Sequence, residues 1–166
     1  MFVKSLDQPR RLLGLIGVAG TTMLAFGLYL QHVVGLDPCP MCIVQRYALI
    51  LIIVVAGVTA FASRNGLLVA GSGLMTLISS LGAFVAARQS FLQWYPPSEA
   101  SCGRDLYGMI ETFPLKRVIP MIFKGSGDCT KIDWTFLGLS IANWSFICFV
   151  GIVLLGLLLI FRQLKK

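Results

Sequence analysis

Residues 137–161 read LGLSIANWSFICFVGIVLLGLLLIF, a stretch without one charged side chain. A hydrocarbon core about 30 Å thick is crossed by a helix of about 20 apolar residues, so this stretch predicts a membrane span. Three more runs of the same kind lie upstream, at about 12–31, 43–62 and 67–87. With 57% of the chain hydrophobic and 13% charged, too little polar surface remains to clothe a soluble globule of 166 residues. The reading is an all-α membrane protein: a four-transmembrane-helix bundle, taken as one integral membrane domain over 1–166.

The net charge of +7 does not point to nucleic acid, because its position carries the information. Lys4, Arg10 and Arg11, then Arg64, then Arg162, Lys165 and Lys166 crowd into three short segments. Residues 32–38 carry no Lys or Arg, and the long stretch 88–136 carries them sparsely. Four spans put both ends of the chain on one side, and the basic segments make that side the cytoplasm. Loops at about 32–42 and 88–136 are then expected to face outward. Basic residues before the first run resemble the start of a secretory signal, yet the run is long and lacks a small-x-small cleavage site, so it is expected to remain as an anchor.

Of five cysteines, this topology puts Cys39, Cys42, Cys102 and Cys129 at or near the outer face and Cys148 inside the fourth span. An oxidising compartment permits disulfides there. A bond between Cys102 and Cys129 would close a loop of about 28 residues and stabilise by roughly 3–4 kcal/mol in the chain-entropy model, so a structural staple is one reading of that pair. The segment Asp37-Pro38-Cys39-Pro40-Met41-Cys42 suits a staple poorly, since cysteines three apart hardly restrain an unfolded chain. Pro40 fits the first turn of a helix, which puts Cys42 near N3, where unpaired N–H groups and the helix dipole favour a thiolate. A thiolate attacks disulfides and donates electrons. Zinc sites share the CxxC spacing but want a second close pair, which Cys102 and Cys129 do not form in sequence.

Arg46, four residues after Cys42, shares its helical face about one turn, or roughly 6 Å, deeper. Arginine at mid-membrane costs roughly 2.5–3.5 kcal/mol and usually marks function, whereas near the interface it snorkels at little cost. In the functional reading its guanidinium keeps the Cys42 thiolate ionised and binds a carbonyl oxygen of an electron-accepting ring.

The chain resembles the disulfide bond formation protein B family along nearly its whole length: in Gln31-His32-Val33, in Pro38-Cys39-Pro40-Met41-Cys42 with Arg46, in Gln93-Trp94-Tyr95-Pro96 leading to Cys102, in Ser126-Gly127-Asp128-Cys129 and in Trp134-Thr135-Phe136-Leu137-Gly138-Leu139. The resemblance implies a quinone-dependent thiol:disulfide oxidoreductase of the bacterial inner membrane with its active cysteines in the periplasm. It implies resting disulfides Cys39–Cys42 and Cys102–Cys129, a periplasmic thioredoxin-fold partner (DsbA-like) that attacks Cys102, and a membrane quinone, ubiquinone or menaquinone, that takes the electrons from Cys42. A mostly apolar pocket with a few polar groups is expected to hold the ring, with Arg46, Cys42, Gln45, Arg88 and Gln89 as candidates. Some family members carry His where Gln89 aligns, and an amide cannot donate a proton near neutral pH.

Residues 109–123 mix large apolar groups with Glu111, Lys116 and Arg117 and read either as a short interfacial helix or as a plain covering lid. Cys148 is expected to pack as a small apolar side chain, and glycines 14, 17, 20, 71 and 73 to permit close helix approach. Two other functions remain in view: a quinone- or lipid-binding membrane protein with structural disulfides, and a metal-handling protein, for which the outer face offers little Met and His.

Overall fold

The computed structural model describes residues 8–36, 38–95, 132 and 134–165. Within them lie four long helices: α1 (Pro9–His32), α2 (Pro40–Ala60), α3 (Asn65–Trp94) and α4 (Ile141–Leu164). All four are long and apolar enough to cross a membrane. The protein is therefore a four-span helical membrane protein; Cys102, Cys129 and the 109–123 segment lie outside the described residues.

Helix boundaries follow local chemistry. Proline opens α1 and α2, where an absent N–H leaves no bond unmade. Ser140 caps α4, its hydroxyl accepting the Asn143 N–H at 3.4 Å. Two boundaries differ from the sequence reading by more than three residues. Helix α3 runs on past 87 to Trp94, because the polar residues after the apolar run still form good helix and no proline intervenes before Pro96. Helix α4 begins at Ile141, and the residues before it form a hairpin, β1 (Thr135–Phe136) against β2 (Leu139–Ser140), with Thr135 opposite Ser140. Leu137 and Gly138 turn it at φ 53° and 78°, the left-handed pair that a two-residue hairpin demands.

The helices pack in chain order, α1 on α2, α2 on α3 and α3 on α4. Their shared core includes Leu13, Ile52, Ala56, Met75, Ala86, Phe149 and Leu159. Outward faces carry large apolar side chains such as Val58, Phe61, Leu81 and Phe161, as lipid contact requires. Lipid removes the hydrophobic drive between helices, so close approach depends on small residues. Gly82 provides one such place, where a Cβ would stand 2.6 Å from the Phe149 ring. Gly20 and Gly71 also face neighbouring side chains, whereas Gly14, Gly17 and Gly73 have open space beside them and do not serve the close approach expected of them. Near the cysteines α1 and α4 stand apart, and a cavity opens between them.

Candidate active site

Cys39 is the N-cap of α2, in extended conformation, and its sulfur accepts the Cys42 N–H at 3.4 Å. Cys42 follows one turn on, and the two Sγ atoms are 3.0 Å apart, within about 1 Å of a covalent S–S separation. Both sulfurs thus sit at the positive end of α2, as the spacing of the prolines and cysteines predicts. Cys39 is buried, with Met41 and Leu92 packed against it; Cys42 is half-buried and faces the cavity.

Helix α3 supplies the polar side of this pocket. Gln89, 3% exposed, points its Nε2 at the sulfurs, 3.3 Å from that of Cys39 and 3.2 Å from that of Cys42. Its Oε1 accepts from Gln45 Nε2 at 2.8 Å. Arg46 reaches across to α1, donating through Nη1 to Gln31 Oε1 and through Nη2 to the Gly27 carbonyl at 3.1 Å. The guanidinium is therefore held inside the protein as well as lining the cavity. Gln31 was legible in sequence only as part of a family motif; its role as the anchor of Arg46 required the fold.

The cavity measures about 570 Å³ and takes walls from all four helices. Leu24, Leu30, Leu49, Phe149 and Ile152 make it apolar, while Cys39, Cys42, Gln45, Arg46 and Gln89 line one side. Rings from α1, from the hairpin and the residue before it, and from α4 also line it. Phe26 meets Trp134 edge-on at 5.9 Å, Trp134 stacks on Phe136 at 6.0 Å, and Phe136 lies 6.0 Å from Trp144. Trp144 Nε1 donates to the Phe136 carbonyl at 3.0 Å and fixes the hairpin to α4. Four of the five pocket candidates, Cys42, Gln45, Arg46 and Gln89, are brought together; Arg88 is not among the lining residues, and its guanidinium lies 5.8 Å over the Phe91 ring. Cys148, read from sequence as packing, is half-buried on the α4 wall of the cavity.

Fold and site together define a multi-pass membrane protein with a CxxC dithiol at a helix head beside an apolar chamber. The family model "Disulfide bond formation protein DsbB" matches residues 9–159. Relatives named disulfide bond formation protein B include one from Polaromonas sp. strain JS666, 75% identical over 100% of this chain and 99% of its own length. Another, from Polaromonas naphthalenivorans, is 69% identical over 100% of this chain and 99% of its own length, and one from Azoarcus sp. strain BH72 is 53% identical over 85% and 86%. The chain belongs to the DsbB family of disulfide bond formation proteins. It is a membrane oxidoreductase of disulfide formation.

Proposed function

We propose that this chain reoxidises a periplasmic thioredoxin-fold dithiol oxidant, DsbA-like, and delivers the electrons through two cysteine pairs to a quinone of the bacterial inner membrane. One observation carries the reading: the Cys42 sulfur and the Arg46 guanidinium face the same apolar cavity, a chamber of the size and polarity that suits a ring with a lipid tail.

In this reading the partner's thiolate attacks Cys102 of a Cys102–Cys129 disulfide and releases Cys129 as a thiolate. Cys129 attacks Cys39 and breaks the Cys39–Cys42 bond, leaving Cys42 as the thiolate. The partner's second thiolate then resolves the mixed disulfide at Cys102 and leaves as a disulfide, and the freed Cys102 thiolate attacks Cys129, re-forming Cys102–Cys129 and expelling Cys39 as a thiolate beside Cys42. A bound ubiquinone or menaquinone would supply the terminal acceptor for the two electrons that the Cys39 and Cys42 sulfurs give up as their disulfide re-forms, two protons completing the quinol. The net balance is one dithiol oxidised and one quinone reduced, with both pairs in this chain restored.

The residues of the chain prepare that transfer. The α2 N-terminus and the Gln89 amide favour negative charge on sulfur. Arg46 presents a cation whose fork is oriented by Gln31 and Gly27 and which suits a carbonyl oxygen of the ring. Phe26, Trp134, Phe136 and Trp144 add aromatic surface to the chamber that suits a planar ring. Cytoplasmic termini and periplasmic cysteines follow from the charge pattern.

The test is quinol formation by the purified chain after addition of a reduced thioredoxin-fold partner, with Cys42→Ala and Cys102→Ala alongside. Quinol formation that both substitutions abolish is the expected result. Quinol production at the unsubstituted rate by Cys42→Ala, or none by the intact chain, would overturn the relay.

A further inference from the structure

We infer that the Gln89 carboxamide is a catalytic group of the thiol chemistry itself, holding the sulfurs of Cys39 and Cys42 in their reduced, anionic state, and that Gln45 is the positioning residue that fixes which way this carboxamide faces. The inference rests on the reading of Cys39 and Cys42 as the electron-carrying pair, and it reassigns both glutamines from the ring to the sulfurs.

Gln89 and Gln45 are buried, at 3% and 6% exposure, inside segments that cross the membrane. A buried polar side chain is costly without a partner, so the neighbours of each amide decide how it is oriented. The direction of the amide follows from what each neighbour can donate. Sulfur in a disulfide or a thiolate has no proton, so the group facing it must be the nitrogen, and Gln89 Nε2 lies 3.3 Å and 3.2 Å from the two sulfurs. The oxygen accepts from Gln45 Nε2 at 2.8 Å, and lies 3.7 Å from the Cys42 sulfur, which donates to it only while it carries a thiol proton. Reversing Gln89 would set its nitrogen against that of Gln45, and its oxygen against two sulfurs that, as a disulfide or as thiolates, have no proton to give.

The chemical consequence concerns the balance between dithiol and disulfide. Hydrogen bonds to anionic sulfur are stronger than those to a neutral disulfide, so the carboxamide stabilises the reduced pair more than the oxidised one. A pair whose reduced form is stabilised is a stronger oxidant, which is what a relay drawing electrons from another dithiol requires. Unlike an imidazole, the amide supplies its N–H donors at every pH and moves no proton. Gln89 therefore holds sulfur charge and is not the proton source for the acceptor.

The experiment isolates the pair in the full-length chain, purified free of quinone, with Cys102→Ser, Cys129→Ser and Cys148→Ser, and measures its equilibrium with glutathione at pH 7. Methionine matches glutamine in length and shape without its donors. Gln89→Met is expected to shift the equilibrium about tenfold toward the disulfide, one charge-assisted hydrogen bond being worth about that much. Gln45→Met leaves the sulfurs' own neighbours in place and is expected to shift it about threefold in the same direction, as a lost orienting bond allows. Equilibria within about twofold of the parent for both variants, or a shift toward the dithiol, would overturn the inference. Should Gln89→Met not fold, Gln45→Met decides it alone. Neither quinone nor partner enters this equilibrium, so a shifted equilibrium in a chain that forms no quinol upholds the amide's role while removing the relay's acceptor; an unshifted one beside normal quinol formation does the reverse.

Discussion

Arg46 brings a permanent charge into a span that otherwise offers only apolar and neutral side chains. Its location is tolerable because two oxygens of α1 meet it, Gln31 Oε1 and the Gly27 carbonyl. The fork geometry of a guanidinium lets one side chain engage both and still face the cavity. A lysine at this position has a single nitrogen and cannot span the same acceptors. Arg46→Lys is therefore expected to lower kcat/KM for quinone about tenfold or more although charge is kept. Gln31→Leu, which removes one anchor and leaves the cation, is expected to raise KM for quinone about fivefold, the worth of about 1 kcal/mol. Steady-state quinone titrations of both variants check this, and unchanged kinetics in Arg46→Lys would show that only charge matters there.

Each element owes its length and entry to a few residues. Helix α2 begins where Pro40 follows an extended Cys39, and that start presents both sulfurs to the same turn of N–H groups. Helix α3, 30 residues or about 45 Å long, continues past its purely apolar part and so carries Gln89 to the sulfurs and Gln93 to the Ser140 hydroxyl, 2.6 Å away. Its contact with α4 depends on Gly82, which leaves room for the buried Phe149 ring. Gly82→Ala is expected to push that ring aside and destabilise the bundle by about 1–3 kcal/mol, the usual range for overpacking. A lowered melting temperature in detergent would register it. Because Phe149 also lines the cavity, the same variant should bind quinone more weakly; a melting temperature equal to that of the parent would mean the helices part at no cost.

At the scale of the molecule, packing in chain order leaves α1 and α4 apart, and the resulting chamber takes walls from all four helices and a set of mutually packed aromatic rings. Cys148 stands on the α4 wall of that chamber. With the other described cysteines, Cys39 and Cys42, held as a disulfide, alkylation of Cys148 by a small membrane-permeant maleimide is expected to slow several-fold when a short-chain quinone saturates the protein, as occlusion of a site predicts. Mass spectrometry of the modified residue provides the readout. Full-rate alkylation at saturating quinone would place the ring somewhere other than this chamber.

Much of this architecture was legible in the residues alone. Four charge-poor runs determined a four-span membrane protein, since only a hydrogen-bonded helix buries its own backbone in lipid. Cys39 and Cys42, on either side of Pro40, determined that thiols would sit at a helix head, because capping and proline preference act over a few neighbouring positions. Other features had no local signature. The hairpin at Thr135–Ser140 is too short for an alternating pattern, and its apolar residues blend into the span that follows. The turn of Gln89 toward sulfur, the anchoring of Arg46 on Gln31 and the place of Cys148 on a cavity wall join residues tens of positions apart or on different helices. Periodicity states which residues share one helix face, but only packing decides what that face meets, and lipid, being as apolar as the side chains, gives no sequence pattern from which the partner could be read.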